Sequence, residues 1–529
     1  MSSGSFGLSP RPMARIRSPE LSQTLPWLNT LHPLSLRGLR GRIVLLDFWT
    51  YGCINCLHVI PDLQYLKEKY AQFLTIISIH TAKFNQEQNV ESIQQAVSRY
   101  GIVHPVLVDR NRTLWDQYAI RAYPTFVLID PQGYIVTTLS GEGRRQTLDD
   151  LIQKLIAEHL GKSTLDEQAL TDIMQPQSLL TEPLAFPGKV LAVEAIDTLF
   201  IADTGHHRLV MTTLAGSLKG TIGTGVAGRQ DGDWETVQFA APQGMAIDAR
   251  GQVLYVADAG NHLIRRVDLR QQQVTTIAGT GIQSRLLFPH GGRAREVDLN
   301  SPWDLVLLGN QLCIAMAGSH QIWIMDLMNG TTQTLIGTGA EFCVDGAPEE
   351  AAFAQPYGIT TDGTRLFVAD SETSSIRTVS LTPTPIAATL CGQGQLDGFG
   401  DRIALRRSRS GQADQDGIGE NVQLQHCSGV TYTENSLWVA DTYNHKIKQV
   451  DPVTGACRTI TGGDTAELQE GVGRDARFWE PSGLSWAGNT LYVADTNNHA
   501  IRCLNLDSLE VTTLPLPDLC SPFICSPIR

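Results

Sequence analysis

The stretch Arg42-Ile-Val-Leu-Leu-Asp-Phe-Trp-Thr-Tyr-Gly-Cys-Ile-Asn-Cys56 decides the fold of the N-terminal part of the chain. Its first seven residues are mostly apolar and include the β-branched Ile43 and Val44, which is typical of a buried parallel strand. Apolar residues three or four positions apart follow, as on one face of a helix: Leu57, Ile60, Leu63, Leu66 and Tyr70. Two cysteines, Cys53 and Cys56, therefore stand where a strand turns into a helix.

Two cysteines three positions apart at the start of a helix can reach one another. Both lie at the positive end of the helix dipole, which favours the thiolate over the thiol. Cys53, the nearer to the solvent-facing turn, is expected to be the attacking sulfur. The spacing predicts a redox pair of the dithiol/disulfide kind.

Other interpretations of the cysteine pair fit the sequence less well. Zinc needs four ligands, and no second Cys-x-x-Cys or His-x-His cluster occurs. A c-type haem site needs histidine directly after the second cysteine, where Leu57 stands. Two inert core cysteines remain an alternative. We predict no metal and no cofactor other than the dithiol itself.

The overall composition narrows the function classes. A chain of 529 residues is expected to form two or three domains, and its formal net charge of −13 argues against a general nucleic-acid role. No apolar run reaches the roughly 18 residues that a membrane-spanning helix needs. Residues 1–25 carry arginines without an apolar core, which excludes a secretory signal. We predict a cytoplasmic protein whose eight other cysteines stay reduced, Cys520 and Cys525 being the only other plausible pair.

Residues 31–160 alternate strand and helix patterns. Strands are predicted at 43–48, 73–79, 106–108, 125–129 and 134–139, and helices at 57–71, 87–100, 114–118 and 148–160. Such alternation is typical of an α/β domain in which helices cover a mixed sheet. A flexible leader over 1–30 and a polar linker over 161–182 are expected to flank it.

This first half resembles the thioredoxin superfamily. Asp47-Phe48-Trp49 is similar to the buried strand that leads to the active site of that superfamily, and Ala122-Tyr-Pro-Thr-Phe126 is similar to its cis-proline segment. The resemblance implies that Cys53 is the nucleophile and Cys56 the resolving thiol. It also implies that Asp47 accepts the proton of Cys56 and that Pro124 is cis.

Two positions depart from the usual thioredoxin pattern. Gly52 replaces the tryptophan before the first cysteine, and Ile54-Asn55 replaces the Gly-Pro between the cysteines. The residues between the sulfurs tune the reduction potential. The direction of electron flow therefore does not follow from the sequence.

Residues 183–515 consist of strand and turn patterns that repeat. Leu199-Phe-Ile-Ala-Asp203 recurs five times, its last position falling at 258, 316, 370, 441 and 495. Each unit offers about four short strands, the content of one propeller blade. Six copies predict an all-β six-bladed propeller, which closes without exposed sheet edges.

The repeats resemble NHL repeats through Ala202-Asp-Thr-Gly-His-His-Arg208 and its later equivalents. A histidine stands four positions after the last residue of each copy, with Ser374 in its place once: His207, His262, His320, His445 and His499. Equivalent positions in a ring are spread around it, which argues against a shared metal site. We interpret this histidine column as structural, with each side chain packing against the neighbouring blade.

The connections between blades vary most at 282–300 and 395–425. The second contains a group of arginines that is a candidate contact for an acidic partner: Arg402, Arg406, Arg407 and Arg409. The alternative is that these arginines belong to a solvated, mobile loop without a partner. Variable loops on a rigid scaffold commonly carry binding. A protein partner or disulfide substrate is therefore expected at the propeller face that bears these loops, with a short tail, 516–529, after the last blade.

The whole chain resembles the NHL-repeat-containing protein 2 family. Tyr51–His58 and Phe186–Val190 are similar to the sequences of that family. The resemblance implies a bacterial-type relative without the further C-terminal β domain that family members often carry. The resemblance implies a thiol–disulfide oxidoreductase whose propeller is a protein-interaction platform. The alternative is a non-catalytic, redox-sensing scaffold in which the propeller does the binding. A third option, chemistry in the central channel, would need carboxylates and histidines that converge on the propeller axis.

Overall fold

The computed structural model describes residues 15–166, 180–286, 291–394 and 414–524. These residues form two units. The first contains the described residues up to Ala82 and those from Ile102 to 166. The second contains Lys83–Gly101 and the described residues from 180 onward.

The first unit is built on a six-stranded mixed sheet in the order β1-β4-β3-β2-β5-β6. Its strands are β1 (Trp27–Leu28), β2 (Ile43–Trp49), β3 (Leu74–His80), β4 (Val106–Val108), β5 (Thr125–Ile129) and β6 (Ile135–Ser140). Strands β2, β3 and β4 are mutually parallel, whereas β1, β5 and β6 are antiparallel to their neighbours. The predicted thioredoxin-like α/β fold is confirmed.

Helices cover this sheet. They are α1 (Ile54–His58), α2 (Ile60–Lys69), α4 (Thr113–Gln117) and α5 (Arg145–Gly161). Every residue of β2 is buried, and its side chains alternate between two cores. Val44, Leu46 and Phe48 belong to one core, whereas Ile43 and Leu45 pack with Leu63 and Leu66 of α2 in the other.

The helix after the cysteines begins earlier than predicted and is interrupted. The sequence pattern predicts one helix over 57–71, but α1 already starts at Ile54, and Val59 separates it from α2. Pro61 lies in the first turn of α2 and has no backbone N–H to continue the hydrogen-bond ladder of α1. Apolar spacing alone does not show such a break, because it does not register the missing backbone N–H of Pro61.

Part of the expected leader belongs to the fold. Leu21 is buried in the sheet core, and β1 pairs with β4 through Trp27 and Leu107. The backbone N–H of Ser18 donates to the carbonyl of Gly133 at 3.1 Å. Whereas the sequence predicts a flexible leader over 1–30, the described residues 15–30 are therefore held by the first unit. A segment with few apolar residues gains its order from partners that are remote in sequence.

The segment Lys83–Gly101 departs from the expected boundary of 31–160, because it belongs to the second unit. It contains a 3₁₀ turn, Gln86–Gln88, and helix α3, Val90–Arg99. Lys83 forms a buried ion pair with Glu372. The Phe84 ring packs edge-on against the rings of His426 and Tyr443. The local sequence pattern predicts the helix correctly but carries no information about which unit the helix joins.

The rest of the second unit is a propeller of six antiparallel sheets, one for each predicted blade. Blades one and two contain β7 (Val190–Val193), β8 (Thr198–Asp203), β9 (Arg208–Thr212), β10 (Leu218–Ile222), then β11 (Gly232–Asp233), β12 (Pro242–Ile247), β13 (Val253–Asp258), β14 (Leu263–Asp268) and β15 (Gln273–Ala278). Blades three and four contain β16 (Gly292–Arg293), β17 (Pro302–Leu308), β18 (Gln311–Met316), β19 (Gln321–Asp326), β20 (Thr331–Ile336), then β21 (Pro356–Thr361), β22 (Arg365–Asp370), β23 (Ser375–Ser380) and β24 (Ala387–Gly392). Blades five and six contain β25 (Gly417–Ile418), β26 (Gly429–Thr433), β27 (Ser436–Asp441), β28 (Lys446–Val450), β29 (Ala456–Gly462), then β30 (Gly471–Val472), β31 (Pro481–Ala487), β32 (Thr490–Asp495), β33 (Ala500–Asn505) and β34 (Glu510–Thr513). The predicted six-bladed, all-β architecture is confirmed.

The ring closes through its innermost strands. The first long strand of each blade contacts that of the next, and β31 of the last blade contacts β7 of the first. Apolar residues of adjacent blades share cores, as where Leu199 and Val210 pack with Tyr492 and Ile501. The stability of the ring therefore depends on burial between neighbouring blades as well as within each blade.

The described part of the expected tail also packs on the ring. Ser521 Oγ donates to the carbonyl of Leu180 at 2.9 Å, and the Arg208 guanidinium donates to the carbonyl of Cys520 at 3.0 Å. Cys520 is disulfide-bonded, which corrects the prediction that it stays reduced. Cys525 lies outside the described residues. Within the described ranges, no helix combines the length and the apolar character that crossing a bilayer requires.

Candidate redox site

Helix α1 brings the two predicted cysteines onto one turn. Cys53 is the residue before the helix, in an extended conformation, and its carbonyl accepts the backbone N–H groups of Cys56 at 3.0 Å and Leu57 at 3.2 Å. Both cysteines are free thiols. The helix that carries them has only five residues, so its dipole is weaker than that of the longer predicted helix.

Both sulfurs are enclosed. Cys53 exposes 4% of its surface and Cys56 1%, so both are buried and Cys53 is only slightly the more exposed of the two. The order of the two cysteines along the turn follows from the sequence. Their exposure, by contrast, depends on side chains that pack over the turn from other parts of the chain.

The Cys56 sulfur is held in its thiol form. Burial raises the pKa of Cys56 well above its ordinary value, and the hydrogen bond with Cys53 raises it further. The charge of Asp47 acts in the same direction, so the carboxyl and the thiol interact electrostatically. Cys56 therefore needs a proton acceptor before it can act as a nucleophile.

Asp47 is positioned for that task by the sheet. It lies on β2 directly opposite Ser78 of the parallel strand β3, whose hydroxyl donates to Asp47 Oδ2 at 2.7 Å. Among the described residues, Asp47 Oδ1 is buried without a hydrogen-bond partner. Burial raises the pKa of Asp47 to about 7, against a smaller lowering by the Ser78 hydrogen bond. A carboxyl with this pKa exchanges protons at neutral pH.

The polar contact continues beyond Ser78, which the sequence analysis did not anticipate. Ser78 Oγ lies 2.7 Å from Nε2 of His104, a buried residue two positions before β4. Burial lowers the pKa of His104 to about 3, and the nearby Lys67 ammonium lowers it further, so the imidazole is neutral. Ser78 is a polar residue between Ile77 and Ile79, a signal in the sequence that could have marked it. No local pattern pointed to His104.

Pro124 has the predicted conformation. The Tyr123–Pro124 peptide bond is cis, and β5 begins directly after it, with Thr125 paired to Phe48 of β2. The Tyr123 hydroxyl donates to the carbonyl of Thr81 at 2.9 Å. This pairing brings the proline segment to the end of β2 that leads into Cys53.

A second buried histidine lies beside the site. The His80 ring packs edge-on against Trp49 and stacks on Tyr51, with centroid distances of 5.2 and 5.5 Å. Burial lowers the pKa of His80 to about 3, so this ring is neutral as well. Its register opposite Trp49 at the end of β3 places it at the same sheet edge as the cysteine turn.

The structure confirms the structural interpretation of the histidine column. His207, for example, occupies the left-handed region with φ of 52°, and its Nδ1 accepts the backbone N–H of Ala241 in the next blade at 3.1 Å. The same bond recurs from Ser301 to His262, Gln355 to His320, His426 to Ser374 Oγ, Glu480 to His445, and Phe186 to His499. The last of these joins the sixth blade to the first. Each column residue therefore fastens one blade to its neighbour.

The central channel contains a structural ion pair. Lys189, on the first blade, donates through Nζ to Asp304 Oδ2 at 3.0 Å and to the carbonyls of Tyr357 and Ser428 at 2.7 and 2.8 Å. These partners come from the third, fourth and fifth blades. In the parts of the chain that the structure describes, no group of three or more histidine, cysteine, aspartate or glutamate side chains could hold a metal ion. The arginine group at 402–409 lies outside the described residues.

The fold and the dithiol turn define a thioredoxin-like protein that carries an NHL propeller. The thioredoxin-like family model matches residues 41–135, and the NHL repeat model matches residues 478–504. The chain is 40% identical to NHL repeat-containing protein 2 of Gallus gallus, over 95% of this chain and 72% of that protein. It therefore belongs to the NHL repeat-containing protein 2 family.

Two further relatives extend the comparison. Protein SUPPRESSOR OF QUENCHING 1, chloroplastic, of Arabidopsis thaliana is 38% identical over 95% of this chain and 48% of its own length. Thiol-disulfide oxidoreductase ResA of Halalkalibacterium halodurans is 30% identical over 24% of this chain and 69% of its own length. The match to ResA covers a stretch about as long as the first unit, whereas the match to the Arabidopsis protein covers nearly the whole chain.

Proposed function

We propose that the protein is a thiol–disulfide oxidoreductase that uses Cys53 and Cys56. The observation that carries this proposal is the pairing of a buried thiol, Cys56, with a nearby carboxyl, Asp47, whose pKa is raised to about 7. An inert structural thiol needs no proton acceptor, whereas a resolving thiol does. Similarity to a relative named as a thiol–disulfide oxidoreductase supports the proposal.

The proposed reaction consists of two exchanges. The Cys53 thiolate attacks one sulfur of a substrate disulfide, and the other substrate sulfur leaves as a thiolate. Asp47 then takes the proton of Cys56, and the Cys56 thiolate attacks Cys53. A Cys53–Cys56 disulfide forms, and the second substrate sulfur leaves as a thiolate that is protonated by Asp47 or water. Two electrons pass from the dithiol to the substrate, and no cofactor other than the dithiol is needed.

The propeller is proposed as the platform that binds the protein partner or the protein that carries the disulfide. Its blades are fastened by the histidine column, and a rigid scaffold of this kind presents its connecting loops for binding. We assign the partner to the face that bears the 282–300 and 395–425 connections. The net charge of −13 argues against a nucleic-acid partner. A cytoplasmic location belongs to this proposal; the word chloroplastic applies to the Arabidopsis relative.

The test is a stopped-flow reaction of the reduced full chain with 5,5′-dithiobis(2-nitrobenzoate). Wild type should release nitrothiobenzoate in two phases, the first from attack by Cys53 and the second from resolution by Cys56. Cys53→Ser should lose both fast phases, and Cys56→Ser should keep only the first. Asp47→Asn should slow the second phase by roughly 10²–10⁴-fold, the usual contribution of a positioned general base.

Cys503→Ser is the control, because it makes the same substitution at a half-buried thiol of the propeller and leaves the Cys53–Cys56 pair intact. It should change neither phase. Equal rates for wild type and Cys53→Ser would refute the oxidoreductase proposal. Capture of a protein on Cys56→Ser as a mixed disulfide would then identify the physiological partner.

One observation favours a second function, a redox-sensing scaffold without turnover. Cys53 exposes only 4% of its surface, so a bulky substrate disulfide cannot reach it without movement of the covering side chains. A scaffold would show slow reaction at Cys53 and a reduction potential too low for cellular thiols to reduce the pair. A redox titration of the pair against glutathione separates the two functions.

A further inference from the structure

We propose that Ser78 and His104 are positioning residues for Asp47: they hold Oδ2 in a hydrogen bond and leave Oδ1 to receive the proton of Cys56. This inference rests on the proposed function and names two residues that the cysteine motif does not include. Three observations support it: the hydrogen-bond geometry, the register of the sheet and the charge of the surrounding groups.

The geometry fixes the direction of the hydrogen bonds. A serine hydroxyl has one hydrogen, and Ser78 donates it to Asp47 Oδ2 at 2.7 Å. Nε2 of His104, 2.7 Å from Ser78 Oγ, must therefore carry a hydrogen and donate it to that oxygen. The chain of donors runs from His104 through Ser78 to Asp47. It occupies one carboxylate oxygen, while the other, Oδ1, has no hydrogen-bond partner among the described residues.

The sheet holds these groups rigidly. Asp47 and Ser78 are register partners on two central parallel strands, and Ser78 also pairs with Val106 at the start of β4. The backbone carbonyl of His104 accepts a hydrogen bond from the buried Asn29 side chain at 3.2 Å. All three side chains are buried, so water does not compete for the hydrogen bonds.

The charges around the carboxyl explain why a neutral donor occupies this position. Among the described residues, Cys56 at the start of α1 interacts electrostatically with Asp47 and Lys67 on α2 with His104, while β5 places the apolar Phe126 opposite Asp47. The Lys67 ammonium donates to the carbonyl of Val103 at 3.2 Å and disfavours a second cation at His104. A permanent cation beside Asp47 would keep the carboxylate ionised and too weak as a base. A neutral imidazole stabilises the anion only in part, and Asp47 can exchange its proton near pH 7.

The experiment measures the protonation of Asp47 directly, without turnover. Infrared difference spectra against Asp47→Asn report the carbonyl stretch of the protonated acid, and a pH titration gives its midpoint. Ser78→Ala removes the hydrogen bond that Ser78 donates to Oδ2 and should raise the midpoint by about one to two pH units, as expected for a lost donor to a charged acceptor. His104→Ala should raise it by a smaller amount, because it acts through Ser78. His104→Gln restores a neutral donor and should return the midpoint towards that of wild type.

The matched control is Ser140→Ala on β6. It removes a hydroxyl that is hydrogen-bonded to Thr125 of β5 and not to Asp47, Ser78 or His104. It should leave the midpoint unchanged. In the nitrobenzoate assay, Ser78→Ala should move the pH profile of the second phase in parallel with the infrared midpoint and leave the first phase unchanged. Infrared midpoints of Ser78→Ala and His104→Ala that coincide with wild type would overturn the positioning role. A wild-type protein that shows no first phase would overturn the proposed function. The positioning role of Ser78 and His104 would still be tested, since the infrared midpoint does not depend on turnover.

Discussion

Two buried aspartates, Asp47 in the first unit and Asp495 in the sixth blade, have very different surroundings. Asp495 Oδ1 accepts the backbone N–H of Trp479 at 2.7 Å, and its Oδ2 accepts Asn498 at 2.8 Å and the Arg502 guanidinium at 3.0 Å. Within the described ranges, the Asp47 carboxyl accepts one hydrogen bond, from Ser78, and forms no ion pair with a cation. Burial raises both pKa values, that of Asp495 to about 6 and that of Asp47 to about 7.

The difference separates a structural carboxylate from one available for chemistry. The arrangement around Asp495 recurs in the second, fourth and fifth blades, with Arg265 beside Asp258, Arg377 beside Asp370 and Lys448 beside Asp441. The third blade replaces the pair by the apolar side chains Met316 and Trp323, which are buried in one core. A pair that can be exchanged for apolar packing supports the fold rather than a reaction. Asp47 is hydrogen-bonded to the neutral Ser78 hydroxyl instead of being paired with a buried cation.

The largest expected effect tests the structural side of this comparison. Asp495→Asn leaves the buried Arg502 without its anion and should lower the free energy of unfolding by about 3–5 kcal/mol. Chemical denaturation of the full chain, followed by tryptophan fluorescence, measures the change. Asp507→Asn, the same substitution at an exposed position, should change it by less than about 0.5 kcal/mol. An equally small effect at position 495 would remove the distinction between the two aspartates.

The same substitution at position 47 should act in the opposite direction. The pKa of Asp47 is about 7 in the folded protein, against an ordinary value of 3.8. Its ionisation in the folded state is therefore unfavourable, and the free energy of unfolding falls as pH rises from about 4 to 7. Asp47→Asn removes this loss and should stabilise the protein above pH 7 by about 2–4 kcal/mol, but hardly at pH 4. Denaturation at pH 4, 6 and 8 gives the profile. Asp116→Asn, in an exposed position, is the control and should show no such trend. Destabilisation by Asp47→Asn at pH 8 would show that Asp47 is a structural carboxylate like Asp495.

The smallest effect concerns the bonds between blades. His262→Ala leaves the backbone N–H of Ser301 without its acceptor and should cost about 1–2 kcal/mol of stability. His262→Ser should cost less, because Ser374 makes the equivalent bond to His426 at 3.0 Å in the fourth blade. Thermal unfolding of the two variants beside wild type gives the order. A serine variant no better than alanine would mean that ring packing, rather than the hydrogen bond, fastens the blades.

Much of the fold could be predicted because its signals are local or repeated. The apolar run before the cysteines predicts β2, and the recurring Leu199–Asp203 pattern predicts six blades, one for each antiparallel sheet of the second unit. The failures involve distant partners. Residues 15–30 and 83–101 contain no unusual pattern, and only their contacts with remote strands and blades give them their places.

In the candidate site, too, some residues were predictable from local motifs and others depend on distant contacts. Cys53, Cys56, Asp47 and Pro124 belong to motifs of known spacing, and the structure brings all four to one end of β2 and β5. The burial of Cys53 and the participation of His104 did not follow from any motif. His104 lies 57 positions after Asp47 and reaches it only through Ser78, by the pairing of three strands.

The amino-acid sequence by itself determined the order of the two folds, the number of blades and the positions of the two sulfurs, because hydrophobic periodicity and motif spacing act over a few residues. Only the tertiary structure decided how readily Asp47 gives up or takes a proton. The proton affinity of a buried carboxyl depends on the water removed from it and on the donors and charges within a few ångströms, and these come from strands and helices far apart in the chain.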